Sequence, residues 1–68
     1  MAKRCGHLAM QFVGRDLPLQ PLESRAGFYL GTADREGPVT RESVEYFPDR
    51  DAAERALLKG EWTQRLAP

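Results

Sequence analysis

From Gly27 to Phe47 the chain runs GFYLGTADREGPVTRESVEYF, with apolar positions that recur every second residue at its start. Phe28, Leu30 and Thr32 share one face of a strand and Tyr29, Gly31 and Ala33 the other, because successive strand side chains alternate. Asp34-Arg35-Glu36-Gly37 then supplies a type I turn: Asp at the first position accepts backbone hydrogen bonds, and Gly at the fourth tolerates positive φ. Residues 27–47 are therefore predicted to form a β-hairpin. Pro38 lacks the N–H that a strand interior needs, so the return strand is expected from Val39 to Tyr46 or Phe47. Its pattern is broken. Val44 and Tyr46 share one parity and Val39 and Phe47 the other, which predicts either a bulge near Arg41-Glu42 or a bend into the next element.

A lone hairpin is marginal in water, and the period changes directly after it. Residues 49–59 are predicted to form a helix with Ala53, Ala56 and Leu57 at i, i+3, i+4 spacing as the stripe that covers the sheet. Asp49 is one candidate N-cap, and Asp51 with Glu54 three residues on is the rival register. Lys59 stands at the negative end of the helix dipole and Gly60 at the expected left-handed stop. Asp51 and Arg55 are the i, i+4 pair in the favoured orientation.

Upstream, Leu8, Met10 and Phe12 alternate with Ala9, Gln11 and Val13, a pattern that predicts a first strand. Residues 1–7, with Lys3-Arg4 and no periodicity, are expected to be a flexible tail. Met10 is also a candidate translation start, and the sequence does not choose between it and Met1. Residues 15–26, RDLPLQPLESRA, carry Pro18 and Pro21, which favour an extended connector over a helix. Its Leu17, Leu19 and Leu22 either close an open edge of the core or form a stiff docking segment; the first account is the simpler in so small a chain. Beyond the helix, Trp62 and Leu66 are spaced for one more helical turn or for a fold back under the sheet. The sum is a single α+β domain over residues 1–68. It has β-β-β-α order, a small antiparallel sheet of two to three strands, and one helix packed across one face.

Composition narrows the function classes more than it selects one. A chain of 68 residues buries only about 60 % of the surface its unfolded form exposes, so the core is thin. With 41 % hydrophobic and 29 % charged residues, the chain falls in the range of folded globular domains. No apolar run approaches the ~20 residues of a membrane span, nothing resembles a signal peptide, and the single Cys5 has no internal partner for a disulfide, which together lead to an expected cytoplasmic location. Ten basic and ten acidic side chains cancel, which removes the simplest electrostatic argument for nucleic acid or anionic lipid.

Candidate chemistry is sparse. Cys5 and His7 are a soft-ligand pair, but zinc sites need four ligands and the chain has no second Cys or His; the same two residues lack a third group to orient the imidazole for nucleophilic catalysis. Glu42, Glu45, Asp49, Asp51 and Glu54 are interleaved with Arg41, Arg50 and Arg55, which suggests a solvated face of mixed ion pairs. Gly27, Gly31 and Gly37 follow no phosphate-loop spacing. No catalytic residue, cofactor or metal is expected, and the chain is read as a non-enzyme.

A binding surface has more support. If the helix covers the Phe28 face, Tyr29 and Tyr46 lie on the open face near Arg25, Arg35, Arg41 or Arg65. Aromatics with arginines on a sheet can stack single-stranded bases. The same residues equally describe a half-exposed sheet with cation–π contacts, and the zero net charge favours that reading.

The order GFYLGT, then GPVTRESVEYF, then AAERAL, then GEWTQR resembles a set of short uncharacterised bacterial proteins, some of them associated with plasmids and mobile elements. The resemblance spans Gly27 to Arg65 and implies no activity or cofactor. Within that span Tyr29, Arg41, Ser43, Tyr46, Trp62 and Arg65 are the candidate binding surface, since hydrophobic pattern alone explains none of them. The expected function is a protein-interaction module, binding an unknown partner or itself through a sheet edge or the open face, with nucleic-acid binding as the alternative.

Overall fold

A computed structural model describes residues 5–67. It has α+β architecture: three antiparallel strands in the order β1-β2-β3, and one helix packed on them. The strands are β1 (Gln20–Ser24), β2 (Gly27–Asp34) and β3 (Gly37–Arg41), and the helix is α1 (Arg50–Lys59).

The β2–β3 hairpin turns over Asp34 to Gly37, where the Asp34 carboxylate accepts from the Glu36 N–H at 2.9 Å and Gly37 sits at φ 128°. β3 stops at Arg41, short of the predicted Tyr46 or Phe47. The register shifts opposite Thr32 and Ala33. Just beyond β3, the N–H groups of Glu42 and Ser43 both donate to the Leu30 carbonyl, at 2.8 and 2.9 Å, so two residues oppose one and the chain bends away. It touches β2 once more where Phe47 and Phe28 exchange backbone hydrogen bonds.

The first strand is not where alternation put it. Residues 8–13 do not form a strand: Ala9–Val13 is a π-helical turn closed by Gly14, whose N–H donates to the Ala9 carbonyl. A six-residue window in which both parities are mostly apolar fits either period, and Leu, Ala, Met and Gln are good helix formers. β1 comes instead from the connector predicted over residues 15–26. Pro21 is admitted for a visible reason. Its partner in register is Leu30, and the Leu30 N–H and carbonyl are both spent on the opposite side, toward Ser43 and Glu42. The pair is thus a non-hydrogen-bonded one, and the missing proline N–H faces away from β2. A Ser24-to-Gly27 turn closes the hairpin, the Ser24 hydroxyl donating to the Gly27 carbonyl at 2.9 Å and accepting from the Ala26 N–H at 3.2 Å.

α1 follows the predicted boundaries. Asp49 is the cap, its carboxylate accepting from the Ala52 N–H at 2.8 Å, and Gly60 ends the helix at φ 69°. Ala53 and Ala56 are buried as α1 lies against β1 and β2. The ion pair on its surface is Arg50–Glu54 at 3.2 Å, not the favoured Asp51–Arg55, and its exposure makes its contribution small. The core is completed by Leu8, Ala9, Leu19, Tyr29 and Leu30.

Both ends of the described chain are tied in. The Gly6 N–H donates to the Leu17 carbonyl at 2.9 Å and Cys5 bridges Pro18, so residues 5–7 are not the loose tail expected; residues 1–4 of that predicted tail lie outside the described residues. At the other end, Val44 N–H to Thr63 carbonyl and Arg65 N–H to Glu42 carbonyl, at 2.9 and 2.7 Å, lay residues 63–65 antiparallel beside the end of β3. No helix among the described residues is long and apolar enough to cross a membrane.

Candidate functional site

Three of the predicted surface residues converge, though not as an open platform. The Arg41 guanidinium lies over the Tyr46 ring, its Cζ 4.1 Å from the centroid, and Tyr46 meets Tyr29 edge to face at 6.2 Å. Yet Arg41 is already committed. Its Nη1 donates to the Tyr46 hydroxyl at 2.8 Å, its Nε to the Ser43 carbonyl at 2.9 Å, and its Nη2 to the Val44 carbonyl. This is a clamp on the bend after β3, and it leaves few donors for a phosphate. Tyr29, predicted on the open face, is only 8 % exposed because Leu22 is its strand neighbour and Tyr46 packs against it. Burial pushes the Tyr29 hydroxyl pKa up, the neighbouring Tyr46 adds to that, and Arg41 opposes it.

Ser43 is fully buried and structural: its hydroxyl accepts from the Leu30 N–H at 3.0 Å and donates to the Glu45 carbonyl at 2.9 Å. Trp62 and Arg65 are half-buried in the C-terminal segment, where Arg65 contributes its backbone N–H to Glu42. The Tyr29–Arg41–Tyr46 group is instead built on the bend after β3. The six candidates therefore divide between a packed aromatic clamp and a pairing segment.

The residue that sequence reasoning missed is Glu42. Placed by pattern on a solvated face of mixed charge, it is 0 % exposed. Its Oε1 accepts from the Leu8 N–H at 2.9 Å and the Gln64 side-chain amide at 2.7 Å; its Oε2 accepts from the Ala9 N–H at 3.1 Å and the Thr40 hydroxyl at 2.7 Å. Since Thr40 spends its one proton there, the 2.6 Å contact between the Thr32 and Thr40 hydroxyls must be donated by Thr32. Leu8 and Ala9 open a helical turn whose first N–H groups have no partner within it, so Glu42 caps that turn from 33 to 34 residues away. Burial pushes its carboxyl pKa up, but the bonds from Leu8, Thr40, Gln64 and Ala9 outweigh burial and hold it below the ordinary value. No cation takes part: among the described residues the ion pairs are Arg15–Asp34 and Arg50–Glu54. The packing is close enough that Gly6 has no room for a Cβ, which would fall 2.4 Å from the Thr32 methyl and 2.6 Å from Glu42 Oε2. The one signal in the sequence was the strand parity that puts Glu42 with Thr40 on the Leu30 side of the sheet.

The turn that Glu42 caps presents its other side outward. Leu8 and Ala9 point inward at 0 % exposure, while Met10, Phe12 and Val13 are 51, 52 and 46 % exposed around an exposed Gln11. Elsewhere the large exposed apolar side chains are Val44 and Tyr46 on the bend after β3, Leu58 on α1 and Leu66 near the C-terminus. A surface depression lined by Ala52, Arg55, Ala56, Lys59 and Glu61 holds charges of both signs. Among the described residues no group of three or more His, Cys, Asp or Glu is arranged to hold a metal ion. The chain matches no protein-family model, no curated protein and no solved structure.

Proposed function

We propose that this chain is a small bacterial, non-enzymatic protein-interaction module of the cytoplasm, and that its binding surface is the Met10–Val13 turn. The observation that carries the reading is three apolar side chains, each about half exposed, within four consecutive residues of a turn whose inner face is fully buried and capped. Exposed apolar side chains on an anchored turn suit docking against an apolar surface, since little ordering entropy remains to be lost on binding. A non-catalytic role is favoured because Glu42, the carboxylate most withdrawn from solvent, already has two donors on each oxygen.

Self-association through a sheet edge is less favoured. β1 presents no N–H at Pro21, and residues 63–65 cover the continuation of β3. Nucleic-acid binding is less favoured because Tyr29 is buried and Arg41 is held by the Ser43–Tyr46 bend.

Capture from a bacterial lysate tests the reading, using the wild type, Met10→Ser/Phe12→Ser and Tyr46→Ser. A partner retained by wild type and Tyr46→Ser but lost with the turn variant is the expected result. Capture insensitive to the turn variant, or an oligonucleotide bound at low salt with shifts at Arg41 and Tyr46 that fade as salt is added, would overturn it.

A further inference from the structure

We infer that Glu42 joins the N-terminal turn and the C-terminal segment into one coupled unit, so that displacing the segment around Gln64 alters how Met10, Phe12 and Val13 are displayed. The inference rests on the proposed use of that turn and adds a means of regulating it.

Its basis is a shared atom. Glu42 Oε1 accepts from the Leu8 N–H and from the Gln64 amide, so the same oxygen holds the turn and the segment. The carboxylate is planar and rigid; a rotation that follows Gln64 also moves Oε2, and with it the bonds from Ala9 and Thr40. With no cation beside it, the buried charge depends on all four donors, and removing one weakens the cap as a whole.

The segment is held by hydrogen bonds to residues 42–45. Residues 63–65 make two backbone bonds to residues 42–44, the Thr63 N–H donates to Glu45 Oε1 at 2.9 Å, and the Gln64 amide also reaches the carbonyls of Glu42 and Arg65. Leu66, just beyond, is 81 % exposed. The residues with ionisable side chains on the elements that meet at Glu42 are His7, Arg41, Glu45 and Arg65; of these, Arg41 is committed to the bend and Glu45 accepts from Thr63.

The test needs no partner. Amide hydrogen exchange and the pH titration of amide shifts are followed by NMR in wild type, Gln64→Ala and the milder Gln64→Asn. The expected result in Gln64→Ala is an exchange rate at Leu8 and Ala9 raised about ten-fold or more, with Ala53 and Ala56 in α1 unchanged. The pH midpoint sensed by the Leu8 and Ala9 amides should also move up toward the ordinary carboxylate value, and Gln64→Asn should fall between. Wild-type exchange at Leu8 and Ala9 in both variants would overturn the coupling, as would equal acceleration at Leu8, Ala9, Ala53 and Ala56. Should the serine variants of the turn leave capture intact while this coupling is observed, the binding reading fails and the coupling stands.

Discussion

Glu42→Gln is the most informative single change, because it preserves the shape of the side chain and alters only charge and hydrogen-bond polarity. Glutamine keeps one acceptor oxygen and turns an NH2 toward two of the four donors. If the NH2 takes the place of Oε1, it meets the Leu8 N–H and the Gln64 amide, both donors; if it takes the place of Oε2, it meets the Ala9 N–H and the Thr40 hydroxyl. The second arrangement costs less, since the hydroxyl can rotate to accept and can then donate to Thr32, reversing that contact. Even so, the buried Ala9 N–H is left without a partner, at a cost of about 1–3 kcal/mol. The surviving bonds to Leu8 and Gln64 also lose their charge assistance, which adds roughly 1 kcal/mol. A total of about 2–4 kcal/mol is a large share of the stability of a chain this size, which lies near 3–10 kcal/mol on a per-residue basis. Thermal unfolding followed by far-ultraviolet circular dichroism should therefore show a midpoint lowered by at least about 8 °C. A loss below about 0.5 kcal/mol would refute the reasoning, because it would mean that the Leu8 and Ala9 N–H groups have another acceptor within reach.

Three further outcomes follow from the same structure. Because Glu42 is held below its ordinary pKa when folded, its contribution is fully present above the ordinary carboxylate range and is lost as pH falls through that range to the folded value; urea midpoints measured from neutral pH downward should fall more steeply for wild type than for Glu42→Gln, and parallel curves would exclude it. Asp49→Ala removes the acceptor for the Ala52 N–H and should cost about 1 kcal/mol in urea unfolding, with a loss indistinguishable from zero pointing to the Asp51 register instead. Gly6→Ala places a methyl against the Thr32 methyl and a carboxylate oxygen pinned by hydrogen bonds, and overpacking there should cost about 1–3 kcal/mol; a neutral result in the same assay would show that the 5–7 segment can shift.

The helix and the β2–β3 hairpin were legible because local chemistry specifies them: a carboxylate cap, an alanine stripe, a left-handed glycine, an Asp-to-Gly turn. Residues 5–26 were not, since their structure depends on partners far along the chain. Leu8 to Val13 satisfies both periods, and what selects the turn is the carboxylate of Glu42, which no local pattern connects to it. The strand in the connector was obscured by Pro21, whose acceptability depends on which way Leu30 turns its own backbone groups. At the candidate site, the grouping of Arg41 and Tyr46 could be anticipated from composition, but their mutual commitment could not, because it depends on the bend after β3. Glu42 was hidden by its company of neighbouring charges. The parity that places it beside Thr40 on the buried side was the clue, and the charge pattern masked it.

Glu42 also sets a timetable. Its bonds to Leu8 and Ala9 span 34 and 33 residues, and its bond to Gln64 spans 22 in the other direction. During synthesis the first turn has no acceptor until residue 42 has left the ribosome, and the carboxylate lacks one of its donors until residue 64 has followed. An N-terminal fragment thus has no stable intermediate to rest in, and the long loops must close together. The chain is expected to fold in one late cooperative step, and its apolar turn is shaped only once that step is complete.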